Sequence, residues 1–377
     1  LSLSARSDRD EVNTLSREQP ERDQTWENSG QILLPVCYSI VFLLGLTLNS
    51  AVLWSVFSRT RRWSSTVIYM SNLAMADLFY VLALPPLIIS NAKGGLWPFG
   101  NIICKTVRFF FFVNLHCSMM FLTCVSVHRF LGVCFPIPAV RLRTRKLALY
   151  ASGSVWFLAT VEILPTLFFA HTGVINNTTV CFEMTNPGHF NAYFPYGLFL
   201  AIVGFLLPFL IVITCYCSMM KVLFCRAAGS ISNTRTARMR NKSLYTLLIV
   251  ILLFVVCFVP YHVARTVYLF VRVYMPGDCD LLNTAMISFK AWKPVVSFNC
   301  CANPLLYFCG SGRHRQKIRA WLWTRKKRVQ PSVCVGIISE HSCGQAMTDG
   351  SSSGLGAGEP REKERLSEAR EKKTQLK

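Results

Sequence analysis

Acid is scarce in this sequence: 19 Asp and Glu stand against 40 Lys and Arg in 377 residues, and charged residues make up only 16%. Turn chemistry is also missing where a soluble chain would need it. Seven apolar stretches, approximately 32–57, 65–90, 105–134, 147–170, 190–221, 242–273 and 281–309, run without the breaks a soluble α/β domain places roughly every ten residues. Each is long enough to cross a hydrocarbon layer of about 30 Å, which takes ~20 helical residues. No cluster of His, Glu and Cys has metal spacing, and no nucleophile–base pair emerges, which argues against an enzyme. Paired halves with interrupted segments in corresponding positions are lacking too, as is any internal repeat, which argues against a transporter.

The charge that is present is sorted by side. Arg59, Arg61 and Arg62 follow the first stretch, and Arg141, Arg143, Arg145 and Lys146 follow the third. Arg226, Arg235, Arg238, Arg240 and Lys242 lie between the fifth and sixth, and a dense basic run follows the seventh. The alternate loops are nearly free of Lys and Arg, Lys93 and Arg272 being the main exceptions. The positive-inside rule then puts the N-terminus outside and the C-terminus in the cytoplasm. The net charge of +21 is mostly a topology signal and does not imply a nucleic-acid partner. The expected fold class is an all-α membrane protein, a bundle of seven transmembrane helices in a lipid bilayer.

Most of the 16 cysteines lie inside the spans, where a thiol is an ordinary packing residue. Cys104, at the outer start of span three, and Cys181, in the next outer loop, both face an oxidising compartment and are expected to form a disulfide. The same loop carries overlapping glycosylation sequons at Asn176 and Asn177 in "INNTTV". Residues 1–30 read as a disordered extracellular tail, with span one serving as the insertion signal. Residues 31–325 form the membrane-spanning domain, closing with a short amphipathic helix on the inner leaflet. Residues 326–377 read as a disordered cytoplasmic tail.

Polar residues inside spans are functional hypotheses by default. Asp77 sits mid-span, with Asn49, Ser118, Asn299 and Asn303 at comparable depth. Their oxygens suit a small hard cation such as Na⁺ around one carboxylate. Pro304, in "NPLLY", permits a kink near the inner end of span seven. Arg129 stands at the inner end of span three. Glu162, inside span four, has no evident role.

These features occur in a known order: Asn49 in span one, L-x-x-x-D ending at Asp77, a cysteine and then Arg129 in span three, Trp156, Pro208, F-x-x-C-F-x-P ending at Pro260, and N-P-x-x-Y ending at Tyr307. The chain resembles a rhodopsin-like (class A) G-protein-coupled receptor over nearly all of residues 30–325. In that class Arg129, Asn303, Pro304 and Tyr307 would serve activation and coupling to a heterotrimeric G protein.

Cations gather near the outer ends of three spans: Arg108 in span three, His262 and Arg265 in span six, Lys290 and Lys293 in span seven. Each of the last two pairs is spaced i, i+3 and shares a helix face. With few acids nearby, such a cluster calls for a polyanionic ligand, and phosphates suit Arg and Lys. "HVARTVY" and "FKAWKP" resemble signatures of the metabotropic purinergic and pyrimidinergic nucleotide receptors, and "LWPFG" and "TGVINNTTVCF" are most similar to the UDP-preferring members. The resemblance implies that Arg108, His262, Arg265 and Lys293 contact phosphates, with Lys290 nearby and Phe112 at a position where relatives carry a tyrosine. It implies an extracellular nucleotide as ligand, a uridine diphosphate in particular, and signalling through phospholipase C and calcium.

Several positions depart from the family pattern. Lys293 replaces an arginine, Phe112 lacks a hydroxyl, His128 replaces the acid usual before Arg129 in the wider class, and Asn303 replaces an Asp. A second family disulfide would join an N-terminal cysteine to Cys279; no cysteine precedes Cys37, so either the N-terminus is incomplete or Cys37 substitutes. The competing readings are a class A receptor for an acidic lipid or peptide and, less well supported, a transporter. No cofactor is expected beyond Na⁺.

Overall fold

The computed structural model describes residues 32–58, 63–135, 141, 143–175, 177–185, 187–228 and 248–310. The terminal tails, the amphipathic helix after span seven, Asn176 and most of the basic inner-loop residues fall outside this set.

Span one runs Ile32–Ser58. Span two is split into Ser65–Leu82 and Leu84–Ala92. Pro85 and Pro86 fall in the first turn of the second piece, where a missing N–H does no harm. Span three is one helix, Gly100–Cys134. Span four runs Arg145–Ile163 and restarts as the turn Thr166–Phe169 after Pro165. Span five covers Phe190–Val222 and its helix continues to Ala228. Span six is Leu248–Tyr274, and span seven is Cys279–Ser297 followed by Asn299–Gly310. Six of these are long and apolar enough to cross a membrane. The seventh is broken at Phe298 and carries Asp280, Lys290 and Lys293 in its first segment.

Burial is inverted relative to a soluble protein. Large apolar side chains such as Trp54, Phe57, Phe157 and Phe168 stand on the outside, while Asp77, Asn49, His116 and Ser118 are fully buried. An apolar exterior of this extent marks a lipid-facing surface. Span three lies at the centre, packed against spans two, four and five, while span six packs on seven and the inner half of seven packs on two.

Prolines shape spans five, six and seven by a common rule. A proline cannot donate to the carbonyl four residues back, and in spans five and six the helix locally widens to i→i+5 spacing just before it. Span five has such a π-turn at Leu200–Leu206, two residues before Pro208, and span six at Phe254–Phe258, two residues before Pro260. In span seven Pro304 deprives the Cys300 carbonyl of its partner. The Asn49 amide donates to that oxygen instead, at 2.9 Å. Span seven breaks upstream of Pro304, at Phe298, and span one supplies the donor that Pro304 lacks.

Candidate ligand-binding site

The outer lid is a hairpin of β1 (Thr172–Ile175) and β2 (Thr178–Cys181), paired antiparallel with Thr172 opposite Cys181. Asn177 sits in its tight turn at φ 61°, exposed, a conformation asparagine tolerates better than most residues. Two ties hold the hairpin down. Cys181 is disulfide-bonded to Cys104, and Trp97 N–H donates to the Thr179 carbonyl at 2.8 Å. The expected disulfide is present, and it places the strand directly over the helix end that carries Arg108.

Under this lid lies a cavity of about 740 Å³. Span one contributes Tyr38, span two Ser90 and Asn91, span three Arg108, span six Tyr268 and Arg272, and span seven Phe289, Lys290 and Lys293. Four cationic side chains thus face one carboxylate, that of Glu183, just beyond β2. Arg108 also donates to the Cys181 carbonyl at 3.2 Å, which aims its guanidinium under the strand. Lys293 is paired with Glu183 at 2.5 Å, the lysine nearly buried and the acid's side chain 34% exposed. Burial alone would raise the Glu183 pKa, but Lys293, Arg108 and Lys290 outweigh it and hold the carboxyl at about 2.

Aromatic rings line the remaining wall. Tyr268 stacks parallel on Phe289 with centroids 5.6 Å apart, and Phe190 meets Tyr268 edge-on at 6.0 Å. The Arg272 guanidinium lies over Phe190 at 5.3 Å, and the Lys293 ammonium over Phe289 at 5.0 Å. Such contacts keep cations in place without neutralising them.

The five cations expected to converge do so only in part. Arg108, Lys290 and Lys293 line the cavity, whereas His262, Arg265 and Phe112 do not. Arg265 is 1% exposed. Its guanidinium donates to the Tyr193 hydroxyl at 2.9 Å and, at 3.5 Å, to the Gly197 carbonyl, and it lies over the Phe112 ring at 5.4 Å. Span five has captured it. His262 is buried against Phe205, ring parallel to ring at 4.3 Å, and neither ring nitrogen has a hydrogen-bond partner. The i, i+3 spacing correctly put both residues on one helix face, but it carried no information on depth.

Similarity to known proteins decides the family. Residues 48–307 match the family described as 7 transmembrane receptor (rhodopsin family). Over 310 residues the chain is 38% identical to purinoceptor 3 of Gallus gallus, covering 82% of this chain and 94% of that receptor. It is 40% identical to purinoceptor 4 of Homo sapiens over 76% of this chain and 78% of that one. With purinoceptor 6 of Rattus norvegicus it shares 38% identity, over 77% and 88%. The chain belongs to the purinoceptors of the rhodopsin family. It is a multi-pass membrane receptor and not an enzyme.

The receptor's inner half holds the second polar cluster. Asp77 accepts from the Asn114 amide at 2.8 Å and from the Asn303 amide at 3.0 and 3.2 Å. Of the five residues expected around a cation, Asp77 and Asn303 meet directly. Ser118 Oγ lies within reach of the carboxylate but makes no hydrogen bond of ordinary geometry, and Asn303 Oδ1 is likewise unpartnered. Asn49 stands one step away through Cys300, and Asn299 accepts from the Cys300 thiol at 3.2 Å. Asn114 and Cys300 were missed in the sequence because neither is an acid or part of a motif.

At the end of the bundle opposite the hairpin, Arg129 forms no ion pair among the described residues. Its neighbour His128 accepts from the Arg143 Nε at 3.2 Å, so the histidine that replaces an acid binds the loop arginine instead. Tyr307 bonds Ser55 at 3.1 Å, tying span seven to span one. Cys37 and Cys279 are both free thiols, so the substitute pairing considered for Cys279 is not formed.

Proposed function

We propose that the outer cavity binds an extracellular nucleotide by its phosphate chain, with Arg108, Lys290 and Lys293 as the phosphate contacts and Arg272 at the rim. The observation that carries this reading is the charge imbalance: among the described residues, four cations line one cavity with a single carboxylate. That excess of three positive charges calls for a polyanion, and the relatives named as purinoceptors point to the same class. A phosphate entering the site competes with Glu183 for Lys293. The stacked Tyr268–Phe289 face offers a flat surface for a nucleobase. Arg265, His262 and Phe112 form the deeper layer, reached when span six shifts relative to span five.

Binding energy differing between two arrangements of spans three, six and seven shifts the population toward the one that admits a heterotrimeric G protein near Arg129. In this reading the N-terminus is extracellular, Asn176 and Asn177 carry the outer glycans, the preferred ligand is a uridine diphosphate, and the signal runs through phospholipase C and calcium. A sodium ion at Asp77 favours the resting arrangement, its oxygens coming from the carboxylate, Ser118 and Asn303, with Asn49 and Asn299 supporting them. The test is a calcium-flux screen of mono-, di- and triphosphate nucleotides, with lysophospholipids as the competing set. A response confined to lysophospholipids would replace the nucleotide reading by the acidic-lipid one.

A further inference from the structure

Glu162 and His116 form a buried acid–base pair in the middle of the membrane domain that the outer site does not use. The imidazole Nδ1 lies 3.2 Å from Glu162 Oε2, with side chains 0% and 6% exposed. His116 Nε2 and Glu162 Oε1 have no hydrogen-bond partner. Burying two ionisable groups in a bilayer and leaving an atom of each unsatisfied is unfavourable, so packing alone does not account for them.

What touches the pair is span five at its π-turn. A Cβ on Gly204 would collide with the His116 ring and come within 3.0 Å of Glu162 Oε1, so only glycine fits there. The next residue, Phe205, is the ring that stacks on His262. On the other side of the turn, Tyr196 donates to the Glu162 carbonyl at 3.1 Å. One turn away in the same helix, Tyr193 and Gly197 hold Arg265. Span five therefore packs directly on the pair at Gly204, is hydrogen-bonded to the span-four main chain at Glu162, and is joined to span six through the two residues expected to meet phosphate.

We propose that the His116–Glu162 pair is the positioning element that sets the π-turn of span five, and through it the placement of His262 and Arg265 for the ligand. The inference rests on the nucleotide reading of the site. Without the pair the turn loses the shaped surface on which Gly204 seats, and Phe205 and Tyr193 no longer present span six in one arrangement.

The experiment compares His116→Phe, Glu162→Leu and the double variant, measuring surface amount and the dose–response to uridine and adenosine 5′-diphosphates. Each single variant leaves one polar group buried alone, which lowers surface amount. The double variant replaces the pair by apolar side chains of similar volume and should recover it. A purely structural pair would then show wild-type potency. The proposal expects potency to stay lower by about tenfold, within the ~5–150-fold range of site coupling. Phe205→Leu should give a comparable loss, and adding it to the double variant little more, because both act along one path. Wild-type potency in the double variant at matched surface amount overturns the proposal. Should the double variant fail to reach the surface, wild-type potency in Phe205→Leu overturns it just as well. A wild-type receptor silent to nucleotides would overturn the reading of the outer site, seen before any variant is compared, and this inference with it.

Discussion

Replacing Glu183 by Gln should make the receptor more sensitive to nucleotide. The Glu183 carboxylate holds Lys293 at 2.5 Å and is the one acid lining the cavity among the described residues, so a phosphate must displace it. Its pKa is about 2 against an ordinary 4.5. At 1.36 kcal/mol per pH unit that corresponds to ~3 kcal/mol of attraction. One third of the side chain is exposed, and solvent screening brings the attraction down to ~1 kcal/mol, about fivefold in affinity. The assay is a calcium dose–response to uridine diphosphate for Glu183→Gln and wild type at matched surface amount. Because the folded-state value lies below the unfolded one, the pair is complete above about pH 4.5 and is lost only as pH falls toward 2. The ratio of the two potencies should therefore be the same at about pH 6 and about pH 7.5, whatever the ligand's own phosphate does. A Gln variant less sensitive than wild type would show that Glu183 is a ligand contact and not a competitor, and the displacement argument would fail.

Lys293→Arg should preserve or raise diphosphate potency, since a guanidinium can grip two phosphate oxygens, whereas Lys293→Glu should abolish it; a Glu variant responding near wild-type concentrations would remove span seven from the site. Arg265→Ala should weaken potency on the order of tenfold to a hundredfold, as a charge-assisted hydrogen bond contributes about 1.5–3 kcal/mol. Its surface amount should also fall, because the buried Tyr193 hydroxyl loses its partner; unchanged potency and amount would show that the deeper layer plays no part. External sodium should lower agonist affinity in wild type but not in Asp77→Asn, with potassium at equal ionic strength as the screening control; equal effects of both salts on both proteins would leave no sodium site.

Span number and the Cys104–Cys181 bond were legible because they depend on run length and on where cysteines fall relative to the runs, both of which are local or one-dimensional. Depth was not legible. "HVAR" fixes a helix face, but whether Arg265 meets solvent or Tyr193 depends on how span five approaches, and that approach is set by a π-turn no hydrophobic pattern announces. Which acid faces the cations, Glu183, was not legible either. Only the hairpin register and the tie to Cys104 select it over Asp278, whose carboxylate caps span seven by accepting from Leu281 N–H at 3.0 Å. Arg272 looked like an exception to charge sorting. Its place over Phe190 shows that an outer cation off the pattern is a signal to follow.

Proline placement connects the outer site to the inner one. Pro208 and Pro260 each follow a π-turn. Phe205 within the first turn stacks on His262, just beyond the second, and Phe209 packs on Phe254 one turn deeper at 6.0 Å. On the proposed reading, a pull on His262 or Arg265 would be taken up at these widened turns. Span seven has no such reserve at Pro304, because Asn49 already satisfies Cys300. On the proposed reading, a ligand joining spans three, six and seven would move span six against a span seven held by Asn49.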